Sequence, residues 1–171
     1  MHKFAFILHP LDIGYVTRKF PLAKYLPPGL LDGLLPYLPP QKVSTITGIY
    51  SPFAATEGWF VACLLTSKQM VTLPQNFVLK RIIQAGRLAE KMGAEILGLG
   101  AMTALVGDAG ITVARNLNIA VTTGNSYTVA TAIEATEKAA AMMGIDLPRA
   151  EVAIVGATGS IGAVCGRILA S

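Results

Sequence analysis

The sequence predicts an α/β fold in two parts. The first is a three-layer domain over residues 1–144, and the second is the opening strand–turn–helix of a Rossmann-type nucleotide-binding domain over residues 145–171. Three observations carry the prediction. Short apolar runs rich in β-branched residues alternate with segments of helical period, the pattern of a largely parallel sheet with helices on its faces. The stretch EVAIVGATGSIGAVCGR, from Glu151 to Arg167, reads as strand, glycine turn and helix. Only nine residues follow Gly162, whereas a nucleotide-binding fold carries its ribose-contacting strand end ~20 residues past the glycines. The sequence is therefore expected to be the N-terminal piece of a longer chain.

Composition narrows the class. The 171 residues are 53% hydrophobic and 14% charged, below the ~25% charged residues of an ordinary soluble domain. Such a surface is expected to carry apolar areas that seek a partner, whether another subunit, a further domain or a lipid-like ligand. The net charge of +4 comes without a Lys/Arg cluster, which argues against nucleic acid. No apolar run approaches the ~18 residues of a membrane span. Cys63 and Cys165 make no disulfide framework and no metal spacing, as expected of a cytoplasmic protein without a metal site.

In chain order, Phe4–Leu8 reads as a strand ended by His9-Pro10. Asp12 is placed to cap a helix carrying Ile13, Val16, Phe20 and Ala23 on one face, with Pro21 as its stop or kink. Between proline pairs, Leu30, Leu31, Leu34, Leu35 and Leu38 fall at helical spacing. That segment, Leu26–Pro40, is a short amphipathic helix or two turns. It serves either as a packed connector or as a greasy surface for acyl chains or a peripheral membrane contact. Val43–Tyr50 and Trp59–Thr66 read as two strands, plausibly paired, with Cys63 inside the second as packing rather than as a nucleophile. After Pro74, the positions Val78, Ile82, Ala85, Ala89 and Met92 mark an amphipathic helix stopped by Gly93. Ile96–Met102 is the next buried strand, Ile111–Leu117 a short helix, and Ile119–Thr122 another strand.

A long helix over 126–143 follows, with Val129, Ile133, Thr136, Ala140 and Met143 inward, Glu134 and Lys138 paired outward, and Gly144 as its end. At its start, Thr122, Thr123, Asn125, Ser126 and Thr128 crowd hydroxyl and amide groups around Gly124. One cap needs one such residue. Five in seven positions point to a polar ligand contact, with Thr122, Thr123, Gly124 and Asn125 as candidate site residues; capping by Asn125 or Ser126 is the plainer alternative.

Val152–Val155 reads as a buried parallel strand. Beyond it the turn Gly156-Ala157-Thr158-Gly159-Ser160-Ile161-Gly162 suits a dinucleotide pyrophosphate. Gly156 permits the tight turn, Gly159 lets the backbone approach phosphate, and Gly162 lets the helix lie close to the strand. The helix dipole and its free N–H groups then face the anion. The spacing is one residue wider than the commonest fingerprint. The candidate cofactor-binding residues are Gly156, Thr158, Gly159, Ser160, Ile161 and Gly162.

The run VTTGNSYT at 121–128, the helix after it, Gly144-Ile145-Asp146, and Val152 to Gly162 with GATGSIG together resemble the long-chain fatty acyl-[acyl carrier protein] reductases known from cyanobacteria. The likeness is strongest from Gly93 to Gly166. It implies an NADPH-dependent enzyme that converts a fatty acyl thioester, on an acyl carrier protein or coenzyme A, to an aldehyde. It also implies a plan similar to shikimate dehydrogenase: a substrate domain, a connecting helix, then an NADP-binding domain. Thr122, Thr123, Gly124 and Asn125 would then border substrate and nicotinamide. Family members use a cysteine nucleophile in the later nucleotide domain, expected here beyond residue 171, and neither Cys63 nor Cys165 sits at that position. The Leu26–Pro40 stretch departs from the cyanobacterial pattern. Two alternatives stand beside this one. A dehydrogenase of a small polar acid would draw on Lys80 and Asp108, and a non-catalytic nucleotide-binding module would keep the glycines alone. By itself the 171-residue chain is expected to be inactive and to associate into homo-oligomers through 151–171, where a strand would lack neighbours.

Overall fold

A computed structural model describes residues 2–171. The chain divides into two compact units, Met1–Thr123 and Gly124–Ser171. Among the described residues no helix is long and apolar enough to cross a membrane.

The first unit is an α/β sandwich around one five-stranded sheet. Strands β1 (Lys3–Leu8), β2 (Gln41–Tyr50), β3 (Ala55–Ala62), β4 (Ile96–Leu99) and β5 (Ala120–Thr122) lie in the order β2-β3-β1-β4-β5. All pairs are parallel except the β2–β3 hairpin at one edge. The register sets Phe4 beside Gly58 and Ile96, and Phe6 beside Phe60 and Gly98. Gly58 is required by this close approach, since a Cβ there would stand 2.5 Å from the Phe4 carbonyl oxygen.

Side-chain alternation sends the two faces of the sheet to different partners. Ala5, Ile7, Trp59, Val61, Leu97 and Leu99 point to the main core. There they meet α3 (Ser67–Thr72), α4 (Gln75–Lys91) and α5 (Ile111–Arg115) through Met70, Val78, Ile82, Ala85, Ala89 and Val113. On the opposite face, Ala62 and Leu64 pack with Val16 of α1 (Ile13–Lys19) and with Leu35, just past α2 (Pro28–Leu34). Asp12 caps α1 as expected, its Oδ1 accepting from the Tyr15 N–H at 3.3 Å. Proline punctuation gives the connector its shape: 3-10 turns at Pro21–Tyr25 and Leu35–Tyr37 flank α2.

Several elements differ from the sequence reading. Strand β3 begins and ends four residues earlier than Trp59–Thr66, and Cys63 lies just past it rather than inside it. The reason is local: Thr66 turns away to cap α3, accepting from the Gln69 N–H while the Gln69 Oε1 accepts from the Thr66 N–H. That Thr-x-x-Gln box was legible in the sequence as a helix start. Strand β4 stops at Leu99, because Gly100 starts a 3-10 turn over Ala101–Ala104.

The second unit contains α6 (Asn125–Met143) and α7 (Ser160–Leu169), joined through a 3-10 turn at Leu147–Arg149. Gly144, at φ +67°, ends α6 in the left-handed conformation open to glycine. Glu134 and Lys138 pair at 2.7 Å as the spacing predicts. Of the expected inward face, Val129 and Ala140 are buried while Met143 is exposed. The strand expected at Val152–Val155 does not form; residues 151–154 have no regular secondary structure and no ladder pairing, and Val155 is fully exposed. A β-strand is a pairing rather than a local conformation, and no described segment pairs with this one. Its Ile154 instead rests on α7, with its Cδ1 against Gly166.

Candidate functional site

The glycine turn is built in the second unit as a strand-less version of the expected motif. Gly156 takes φ +82°, which a side chain rarely tolerates, and its carbonyl accepts from the Gly159 N–H at 2.9 Å. Gly159 is the N-cap of α7 and makes no side-chain cap; its carbonyl accepts the first helical bond, from the Ala163 N–H at 2.9 Å. The N–H groups of Ser160, Ile161 and Gly162 therefore lie in the first turn, where no intrahelical partner exists. A Cβ on Gly162 would stand 2.4 Å from the Gly156 carbonyl oxygen and 3.1 Å from the Ala157 Cα, so the helix can fold onto the turn only with glycine there. Thr158 is exposed at the tip of the turn. A glycine loop leading into uncapped N–H groups at the positive end of a helix fits a dinucleotide pyrophosphate.

The TTGN cluster falls partly in each unit. Thr122 ends β5, and Thr123 closes the first unit. Gly124, at φ +75°, is the N-cap of α6 and, like Gly159, offers no side-chain cap. Capping by Asn125 or Ser126 is thus not how this helix begins. Asn125 is already inside the helix, and its Nδ2 donates to Ser160 Oγ at 3.0 Å. One hydrogen bond across 35 residues of sequence thereby joins the two motifs that were read separately, at the first residues of α6 and α7. Thr128 turns inward on its own helix, donating to the Gly124 carbonyl at 3.2 Å.

In the first unit the parallel strands β1, β3, β4 and β5 all end on one edge, followed by His9, Cys63, Gly100 and Thr123. The connection leaving β1 runs toward the β2 side and the connection leaving β4 runs toward β5, so the chain diverges between neighbouring strands there. Such a switch point is where open α/β sheets place ligands. His9 and the turn after Gly100 meet at it: the Met102 N–H donates to His9 Nε2 at 3.4 Å, and Ala101 holds φ +49°. The sequence reading treated His9 only as the end of a strand. The signal available was a histidine directly after the strand that became central, and its position was unknowable before the strand order.

The remaining candidates have structural occupations. Cys63 is buried, and desolvation pushes its thiol up to about 12, with the Arg81 guanidinium pulling weakly the other way. That is the reverse of an activated thiolate. Cys165 is buried on α7. Asp108 accepts from the Thr112 N–H at 2.9 and 3.1 Å and from its hydroxyl at 2.7 Å. Those bonds hold its carboxyl below the usual carboxylate range and tie it to the start of α5. Lys80 is exposed on α4. Among the described residues no group of His, Cys, Asp or Glu could hold a metal.

No family model matches the chain. Over 135 residues, 74% of the chain, it is 30% identical to a long-chain acyl-[acyl-carrier-protein] reductase of Synechococcus elongatus. Over 179 aligned residues and 98% of the chain, it is 29% identical to the aminotransferase PigE of a Serratia species. The chain spans 40% of the length of the first relative and 20% of the second, so it is similar to a part of each.

Proposed function

We propose that these residues belong to an NADPH-dependent oxidoreductase that reduces long-chain fatty acyl thioesters to aldehydes. The observation that carries the proposal is the Asn125–Ser160 hydrogen bond, which sets the TTGN helix start beside the glycine-turn helix start. The similarity to a part of an acyl-[acyl-carrier-protein] reductase supports it. In this reading Gly156, Gly159 and the first-turn N–H groups of Ser160, Ile161 and Gly162 hold the pyrophosphate, with Thr158 at the tip. Asn125 fixes Ser160, and Thr122, Thr123 and Gly124 border the substrate and nicotinamide. The bound cofactor supplies the hydride. Cys63 is not the nucleophile, since a thiol with a pKa of about 12 stays protonated at neutral pH. Residues 1–144 form the substrate domain and 145 onward the start of the cofactor domain. The thioester carrier is an acyl carrier protein or coenzyme A. Val152 and Val155, both exposed, are the surface through which copies of this chain associate.

The test is aldehyde formation from a palmitoyl thioester and NADPH by the whole protein that contains this chain. Gly159→Val should abolish NADPH binding, because a β-branched side chain would fill the pyrophosphate site. Unchanged affinity in that variant would remove the cofactor assignment. The shikimate-type alternative is disfavoured by Asp108, whose carboxylate is committed to Thr112.

A further inference from the structure

The connector Leu26–Pro40 separates two grooves of opposite character in the first unit. On one side lies an apolar cleft of about 400 Å3, walled by Val16, Phe20, Leu31, Leu35 and Leu64, with Leu22 at its lip. It continues through Val16, Phe20 and Leu64 into a second apolar hollow of about 210 Å3 that reaches Tyr15 and His9. On the other side lies a groove of about 420 Å3 lined by Arg81, Arg87 and Lys91, with Tyr37, Pro40 and Leu88 as its apolar part. Pro39 lines both the larger cleft and the cationic groove. The larger cleft and the cationic groove are each within the ~300–1,000 Å3 of small-molecule pockets.

The charge in the groove is uncompensated. Helix α4 carries Lys80, Arg81, Arg87 and Lys91 within an arc of about 120°. Its one carboxylate, Glu90, accepts from the Asn118 N–H at 2.7 Å instead of pairing with them. Among the described residues no acidic side chain pairs with Arg81, Arg87 or Lys91. Arg81 is held in place from within the ridge, donating to the Leu38 carbonyl and to Gln84 Oε1. An ordinary solvated helix face has interspersed charge and no reason to adjoin an apolar cleft.

We propose that the first unit binds a single-chain amphiphile, with a long alkyl group in the apolar cleft and a phosphate ester on Arg81, Arg87 and Lys91 across the Pro39 ridge. Guanidinium groups suit phosphate through paired N–H donors, and the cleft gains by removing methylenes from water. The site itself is read from the cleft and the groove, all before the TTGN cluster, while a thioester occupant would rest on the reductase reading. Two sources share the chemistry, a soluble thioester of a phosphate-bearing carrier and a simple alkyl phosphate or lysolipid.

Calorimetric titration of the 171-residue chain tests it, without NADPH and below the micelle concentration of each probe. Dodecyl phosphate should bind one to one and more tightly than dodecanol, while inorganic pyrophosphate alone should bind more weakly than either. The double variant Arg87→Glu/Lys91→Glu should weaken dodecyl phosphate about tenfold or more and leave dodecanol unchanged. Leu22→Gln, on the exposed lip where folding is not at stake, should weaken both alkyl probes. Lauroyl-coenzyme A binding tighter than dodecyl phosphate assigns the soluble thioester, and the reverse order assigns the simple alkyl phosphate; either order upholds the site. Equal affinity for dodecanol and dodecyl phosphate overturns it, as does indifference to the charge reversal. Co-sedimentation with phosphatidylglycerol vesicles without one-to-one binding of dodecyl phosphate also overturns it, in favour of a membrane-facing surface.

Discussion

Both units are rich in apolar residues, yet they hide them to very different extents. In the first unit a parallel sheet gives alternate residues of each strand somewhere to go, and Ile7, Val61, Leu65, Val78, Ile82 and Leu97 are fully buried. In the second unit only Val129, Ala140 and Cys165 are buried among the described hydrophobic residues, while Met142, Met143, Val152 and Val155 stand exposed. The difference is not one of composition. Helices α6 and α7 have apolar faces, but the strand that would lie between them and a sheet forms no ladder. Apolar sequence becomes core only where a second layer is present to receive it.

The sharpest way to break this comparison is to remove core from each unit in turn. Ile82→Ala empties a fully buried site on α4 and should cost about 2–5 kcal/mol, read as a lowered urea midpoint. Val129→Ala in α6 should leave that same transition in place. Equal shifts from the two variants would mean that the units unfold as one.

Gly162→Ala tests whether the glycine turn is built by backbone contact. Its Cβ would meet the Gly156 carbonyl oxygen at 2.4 Å, and a backbone atom cannot swing aside as a side chain can. A cost of about 1–3 kcal/mol is expected, confined to the second unit and seen as faster amide exchange across 156–166. Unchanged exchange there would show that the turn yields freely.

Cys63 offers a pH-dependent contrast, because its burial belongs to the first unit. Its thiol has an ordinary value of 9.0 and is raised to about 12 in the folded protein. The unfolded thiol thus loses its proton first as pH rises, so the native state binds more protons between those values. The corresponding stability is fully present below about pH 9 and is lost toward pH 12, at about 1.4 kcal/mol per pH unit at most. Cys63→Ala should flatten that alkaline limb of the stability profile. A parallel profile in wild type and variant would exclude the thiol as its source.

The smallest effect is expected at Asn125. Removing its donor to Ser160 Oγ with Asn125→Ala should cost about 1 kcal/mol, since one exposed hydrogen bond contributes little net stability. If the proposed reductase reading holds, the same change should reduce turnover by more than that loss explains. A variant that melts earlier but turns over normally would return the contact to a purely structural role.

Local chemistry written in the sequence determined most of the elements. Asp12 before Ile13, the proline pairs around Leu30–Leu38, the four-and-three spacing from Val78 to Met92, and the glycines at 93 and 144 each fix a start, a period or a stop within a few residues. The glycine turn was legible for the same reason, since φ +82° at Gly156 and the close approach at Gly162 are demands on single residues. What only the tertiary structure decided depends on partners distant in the chain. The strand order made His9 a switch-point residue. Val152–Val155 has the composition of a strand and no ladder, because hydrogen-bond pairing is supplied by a neighbour and cannot be encoded by the segment alone. The meeting of Asn125 with Ser160, and of an apolar cleft with a cationic groove at Pro39, arises in the same way, from residues that sequence separates and packing brings together.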